Sequence, residues 1–429
     1  MLNSHVAIVL PTLMASAVTA TLQKFCNDPV YSGEGPISAT VYHSLEELDR
    51  ELWKCVVDEG KKFMSLEYFR ALEHAENDEL ELRYALFRAD GKIVGAAAFQ
   101  ITHFITSEDA YSNPLLKFAY KVTQLLRGGH VHNILICGNA IATGEHGFSF
   151  AEGFPIEKIP PLIVRAMKDI AVEEKRKGKG ICAMLVKDFY PDSTEIAKGI
   201  SKAGFRNFQV DHNMVMPILP EWQSFEDYLQ AMVTKFRTKA KAAINRSVAL
   251  RITDMSSEEV IAAQGKMQKL YDNVYGRADF RLGKMNVESV AAILENMPGN
   301  FFVKGYWLND ELVGFCTAMR CGTVLEAHII GIDYDHNKEY AVYQRMLYDY
   351  VELAIRLRCS TIVYGRTAAE IKSTIGAVPV DLTCGILHQR RISNALLKLI
   401  LQYVKPSDYP HRHPYKTEVQ EKLQAQRLY

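Results

Sequence analysis

Two tandem α/β units, each a twisted mixed sheet flanked by helices, are what the sequence predicts. Three observations carry this. A series of strand and helix patterns occurs twice in the same order, each copy opens with a tight hairpin, and each contains a long amphipathic helix between later strands. At 429 residues the chain has room for two or three domains.

Residues 1–36 read as an apolar N-terminal extension. Val6 to Leu22 is apolar and ends in small residues, but no Lys or Arg precedes it and Pro11 interrupts it. Those features fit neither a signal peptide nor a spanning helix, and favour a segment packed on the body or against a membrane surface. The first unit is expected over 37–218. Its hairpin is Tyr84 to Phe99, two alternating apolar runs around Asp90-Gly91. Next come a strand at His132 to Cys137, a glycine-rich loop from Gly138 to Gly153, and a helix at Ile159 to Arg176. Ile181 to Lys187 and Gln209 to Met216 follow as strands, with Gly204 between them. The second unit, 219–429, repeats this. It has a hairpin at Phe301 to Met319 turning on Asn309-Asp310, a strand at Leu325 to Gly331, a helix at Tyr340 to Leu357, and strands at Thr361 to Tyr364 and Val380 to Leu387. A basic helix over 225–251 joins the units; from Lys235 to Arg251 it holds six basic residues and no acid.

The composition, 48% hydrophobic and 23% charged, is that of a folded globular chain. Lys plus Arg and Asp plus Glu each number 50, so any affinity for nucleic acid or an anionic surface has to be local. The eight cysteines show no metal-ligand spacing, and Cys316 and Cys321 lie in apolar strand sequence as expected buried thiols. Their scatter fits a reducing cytoplasm. His411 and His413, two apart among prolines, read as part of a solvated tail rather than a metal site.

This element order, with the paired signatures Asp90-Gly-Lys-Ile-Val-Gly95 and Asn309-Asp-Glu-Leu-Val-Gly314, resembles the acyl-CoA N-acyltransferase (GNAT) superfamily over roughly Val41 to Arg390. The duplication resembles tandem-GNAT proteins, which include the Fem-type aminoacyl transferases of peptidoglycan synthesis and related bacterial lipid N-acyltransferases. The helix Phe225 to Arg246 is similar to a basic helix at the same place in the Fem-like branch. The resemblance implies transfer of an acyl group from a CoA or acyl-carrier-protein thioester to an amine, with no tightly bound cofactor. It also implies that the donor's arm lies between two parted parallel strands, its pyrophosphate at the N-terminus of the long helix.

Alternation along Leu325 to Ile332 puts Glu326 and His328 on one strand face, a carboxylate and an imidazole suited to act as base or amine-binding pair. The loop after them, Asp333 to Tyr340, lacks a glycine cluster, which leaves Lys338, Tyr340 and Tyr343 to meet the donor by side chain, with Lys235 and Arg237 of the basic helix. Tyr275, Arg277, Asp279 and Arg281 lie in an aromatic, charged loop of the kind that closes over an acceptor. Tyr364 and Arg366 end the strand expected to diverge from that of Glu326, where an Arg suits a carboxylate or phosphate. His146 has no partner identifiable from the sequence.

The favoured activity is therefore N-acyl transfer, expected in a cytoplasmic protein peripheral to the inner membrane face. The expected acceptor is a lipid-like amine such as a sphingoid base or amino-acid lipid. Two alternatives stand beside it: an aminoacyl-tRNA-dependent Fem-type transferase, and a non-catalytic GNAT pair that only binds.

Overall fold

A computed structural model of the chain describes residues 35–75, 79–103, 133–277, 282–402, 404 and 406–425. The apolar extension and most of the loop after the first hairpin lie outside these. In chain order the strands are β1 (Ile37–Tyr42), β2 (Leu80–Ala89), β3 (Lys92–His103), β4 (Asn133–Cys137), β5 (Phe148–Phe150), β6 (Ile181–Phe189), β7 (Arg206–Gln209), β8 (Asn213–Pro217), β9 (Arg251–Asp254), β10 (Phe301–Leu308), β11 (Glu311–Cys321), β12 (Val324–Ile332), β13 (Thr361–Val363), β14 (Val378–Val380) and β15 (Thr383–His388). The helices are α1 (Arg50–Lys54), α2 (Leu66–His74), α3 (Ile159–Arg176), α4 (Thr194–Lys202), α5 (Phe225–Ala231), α6 (Thr234–Arg246), α7 (Ser257–Tyr275), α8 (Glu288–Asn296), α9 (Tyr334–Tyr340), α10 (Val342–Arg356), α11 (Ala369–Thr374), α12 (Arg391–Leu401) and α13 (Thr417–Ala425).

The duplication is visible in the backbone. Asp90 and Gly91 have φ of 51° and 79°, and Asn309 and Asp310 have 48° and 65°, so both hairpins turn through two left-handed residues, which matches the twist of the flanking strands. Each hairpin has a register shift at the same step, between Phe87 and Arg88 and between Tyr306 and Trp307. The glycine that follows each shift is closely packed: a Cβ on Gly95 would stand 2.3 Å from Phe150, and one on Gly314 2.7 Å from Met346. In both halves a long helix then links two parallel strands, α3 between β4 and β6 and α10 between β12 and β13.

The closing strands depart from expectation. Each was expected as one strand completing its own sheet. Each is instead two short strands in different sheets. The first sheet runs β1-β2-β3-β4-β6-β15-β7, with β5 also on β3, and the second β14-β8-β13-β12-β11-β10-β9. Strand β8 of the first half thus sits between β13 and β14, and β15 of the second half between β6 and β7. The crossing segments touch: Val210 N donates to Leu382 O at 3.3 Å, and His212 Nδ1 lies 2.8 Å from Asp381. A boundary at residue 218 divides the sequence but not the sheets.

Other expectations shift locally. The basic helix breaks at Met232–Val233 into α5 and α6 and ends at Arg246, which leaves Val248 75% exposed instead of on the buried stripe of Met232, Phe236 and Ala240. The tail is not wholly solvated, because Pro414 O accepts from Val233 N at 2.9 Å and Tyr415 is buried. Among the described residues no group of side chains could hold a metal ion, and no helix is long and apolar enough to cross a membrane.

Between the sheets lies a core shared by both halves, with Trp53, Phe63, Tyr68, Phe69 and Tyr84 packed among Met267, Met285, Phe301, Phe315, Met319 and Ile329. On the first sheet's other side, Arg83 of β2 reaches α3, where its Nε and Nη2 donate to Glu174 Oε1 at 3.0 and 2.7 Å. Glu174 is fully buried, and Glu174→Ala would leave the buried Arg83 only the more exposed Glu81 as a charged partner; a loss of about 2 kcal/mol in denaturant unfolding is expected. The exchange makes a second test. Fragments 35–218 and 219–429 expressed separately should each fail to melt cooperatively, and co-refolding should restore a single near-UV circular dichroism transition. A cooperative melt of either fragment alone would refute this.

Candidate functional site

The site forms where parallel strands part. β12 and β13 pair only at Val324–Thr361, Leu325–Ile362 and Glu326–Val363. Past Val363 the chain turns toward β8, with Tyr364 N donating to Met214 O at 2.8 Å, and Gly365, Thr367 and Ala368 have φ of 73°, 65° and 49°. Lys372 holds this turn, its buried ammonium donating to the carbonyls of Tyr364, Gly365 and Arg366 at 2.8, 3.1 and 2.6 Å. Burial lowers its pKa to about 7. In the first half β4 and β6 are paired as far as Cys137–Val186, and the chain then leaves through Gly138, at φ 134°.

The departing glycine-rich loop crosses to the second half. His146 Nε2 lies 3.1 Å from Glu326 Oε2 and 3.1 Å from Thr143 O. Both neighbours accept, so Nε2 carries the proton. Glu326 is at the last paired residue before β12 and β13 part, and its side chain is 12% exposed. The Cys321 thiol beside it is held protonated, first by burial and then by the Glu326 charge.

His328 packs against the rings of Phe63, Tyr68 and Phe301. Burial, aided by the neighbouring His146, drops its pKa to about 3. The hydrogen bonds suit a neutral ring. Asn139 Nδ2 donates to Tyr68 Oη at 3.2 Å, which directs the Tyr68 hydroxyl to His328 Nε2 at 3.4 Å. Ile329 N donates to Thr317 Oγ1 at 3.0 Å, and this hydroxyl, turned to Ile329 O, keeps a lone pair for His328 Nδ1 at 3.4 Å. One ring nitrogen donates and the other accepts, so His328 is a fixed neutral link and is poorly suited to be a base near neutral pH. Glu326 and His146, bonded to each other, are the remaining carboxylate and imidazole at this point of the sheet.

The loop is anchored from beneath. Lys187 Nζ donates to Asn139 O and Ala142 O at 2.6 and 3.0 Å, and Asp188 accepts from Gly144 N at 3.0 Å while pairing with Arg366 Nη2. Burial works to raise the Asp188 pKa, yet Lys187 and Arg366 hold it below the usual carboxylate range. Arg366 therefore already has an internal partner. Tyr364 is also committed, buried with its hydroxyl donating to Leu347 O at 3.0 Å.

A cleft of about 560 Å³ opens on the far side of this turn, lined among others by Lys239, Gln344, Tyr348, Thr367, Ile371 and Tyr409. Its lining includes neither Glu326 nor His328, from which the loops of Thr143 and Gly365 separate it; an added Gly365 Cβ would lie 3.5 Å from Thr143 Oγ1. Of the basic-helix candidates, Lys235 lies over the Phe236 ring at 5.8 Å and Arg237 Nη1 donates to Met232 O at 3.3 Å, while Lys239 one turn on reaches the cleft. Lys338 and Tyr340 sit on α9, Lys338 exposed, and Tyr343 packs against the second-half core. The guanidinium of Arg277 stacks 3.6 Å above Tyr334, and Tyr275 packs on Tyr271. Asp279 and Arg281 lie outside the described residues.

Both long helices have fewer first-turn amides free for a phosphate than an ordinary helix start. α3 has Pro160 and Pro161 in its first turn, which removes two amides. α10 begins after the added helix α9, and its Tyr343 N already donates to Asn337 Oδ1 at 2.9 Å.

His146, Tyr68, Asn139, Lys187, Asp188 and Lys372 were absent from the sequence candidates. Only the glycine density around His146 marked its loop as able to approach another segment closely.

Because His328 binds fewer protons folded than unfolded, stability should fall as the pH drops from about 6.5 toward about 3. His328→Gln should flatten the unfolding free energy measured across that window. An unchanged slope would remove His328 from the account.

No protein-family model matches the chain, and no curated protein matches it. Among solved structures, FemX is 11% identical, matched over 85% of this chain and 100% of its own, with a TM-score of 0.47. A tandem GNAT protein from the clavulanic acid biosynthesis pathway is 10% identical over 87% of this chain and 100% of its own, at 0.46. L-PGS from Bacillus licheniformis is 12% identical over 79% of this chain and 97% of its own, at 0.42.

Proposed function

We propose that the protein moves an acyl group from a thioester or ester donor to an amine, with Glu326 as the base. The observation that carries this is the carboxylate at the parting point of β12 and β13, oriented by a histidine from the other half of the duplicated chain. The ammonium acceptor loses a proton to Glu326, its nitrogen attacks the carbonyl carbon, and the new C–N bond forms as the C–S or C–O bond breaks. The leaving thiolate or alkoxide then takes up a proton. His146 holds the carboxylate in place, and the remainder of the rate comes from holding amine and carbonyl together.

The donor we favour is an acyl group on a carrier-protein arm. The proline-opened α3 and the Asn337-capped α10 give free acyl-CoA little to hold its pyrophosphate. The alternative of an aminoacyl-tRNA donor is supported by the exposed lysines of α6, Lys235, Lys239 and Lys241. The acceptor we favour is a lipid-like amine.

Isothermal titration with acyl-carrier protein, acyl-CoA and aminoacyl-tRNA, each at low and high salt, separates the donors. The first should bind and acyl-CoA bind weakly, and binding confined to tRNA and lost steeply with salt would select the alternative. With the donor found, Glu326→Gln should lower kcat about 100- to 1000-fold with little change in KM, and His328→Gln less than about tenfold. Undiminished turnover in Glu326→Gln would remove the proposed base, and no turnover with any donor would favour the non-catalytic pair.

A further inference from the structure

We infer that α12 docks the protein on an anionic lipid surface. Ile392, Leu396 and Leu399 are 80%, 51% and 58% exposed and lie at i, i+4 and i+7, one continuous stripe on a helix with no buried residue. Scattered exposed leucines are ordinary, but a stripe in helical register is not. The helix cannot roll to hide it, because Asn394 on its back accepts from His388 N at 3.0 Å and donates to Gly204 O at 3.2 Å. Arg391 and Lys398, also exposed and seven residues apart, run along one edge of the stripe.

Charge decides the partner. From Leu382 to Ser407 the sequence holds Arg390, Arg391, Lys398 and Lys405 and no acidic residue, and Lys202 at the end of α4 stands exposed two residues before Gly204. A second copy packed stripe to stripe about a two-fold axis would set these cations against their own kind. A bilayer with anionic headgroups takes up the apolar stripe and the basic edge together. The placement also serves the cleft. Six residues beyond the helix, Ser407 lines the cleft and bonds Asp211 through N and Oγ at 2.8 and 2.9 Å, so the opening lies within about 20 Å of chain from the docked surface. The docking itself does not depend on the proposed transfer.

Sedimentation of the full chain with phosphatidylcholine vesicles, with and without phosphatidylglycerol, tests this. Binding is expected only with the anionic lipid. It should weaken at least about tenfold in the triple variant Ile392→Ser, Leu396→Ser, Leu399→Ser and in the double variant Arg391→Glu, Lys398→Glu, with the thermal melt of both unchanged. Undiminished binding by the triple variant overturns the inference. So does a wild-type dimer that this variant converts to monomer without any vesicle binding. Binding that is lost on removing residues 1–34 but kept in the triple variant assigns the contact to that segment and overturns it equally.

Discussion

Two short strands, β8 and β15, each complete the sheet that the other half of the chain begins, and from this reciprocal exchange the rest of the architecture follows. Neither sheet closes until both halves have been made, so the core between them is a single unit and not an interface between finished domains. The crossing segments meet at His212 and Asp381, which fixes the halves against each other. That relation carries the first half's glycine-rich loop across to the second half's diverging strands. A carboxylate on β12 thereby gains a histidine lying 180 residues earlier in the chain.

Features whose physics is local could be read from the sequence. The hairpins were marked by residues that tolerate left-handed backbone, Asp90-Gly91 and Asn309-Asp310, and α3 by apolar periodicity that ran to its observed ends. The second long helix, expected over Tyr340 to Leu357, is α10 at Val342–Arg356, but the preceding segment, expected as a loop, holds α9, set off from it by Ala341 at φ 52°. No side-chain pattern announces a left-handed alanine. Strand character near residues 209–216 and 380–387 was also legible, whereas the destination of those strands was not. Pairing partners for residues this far apart are selected by the whole sheet, and alternation along one strand is silent about them.

The site divides along the same line. Alternation placed Glu326 and His328 together on β12, and they are together. Their different roles come from surroundings that sequence does not display: three aromatic rings pack against His328, which is held between the Tyr68 and Thr317 hydroxyls, while Glu326 is met by His146 from the other half. Tyr364 and Arg366 lie in the turn that follows β13, and this turn is tied so tightly by Lys372 and Asp188 that both side chains are spent on structure. An arginine at a strand terminus invites a ligand only when no internal acid has claimed it first, and Asp188 sits in the other half of the chain.

Pro160, Pro161 and Asn337 have a consequence beyond the helices they shape. Helix beginnings are ready footholds for diphosphates, and nucleotides bearing that group crowd any cell. Here two first-turn amides are removed by ring closure in one half and one is taken up by a side-chain amide oxygen in the other. An anion arriving at either helix start would therefore meet two prolines in one half and an amide already engaged in the other.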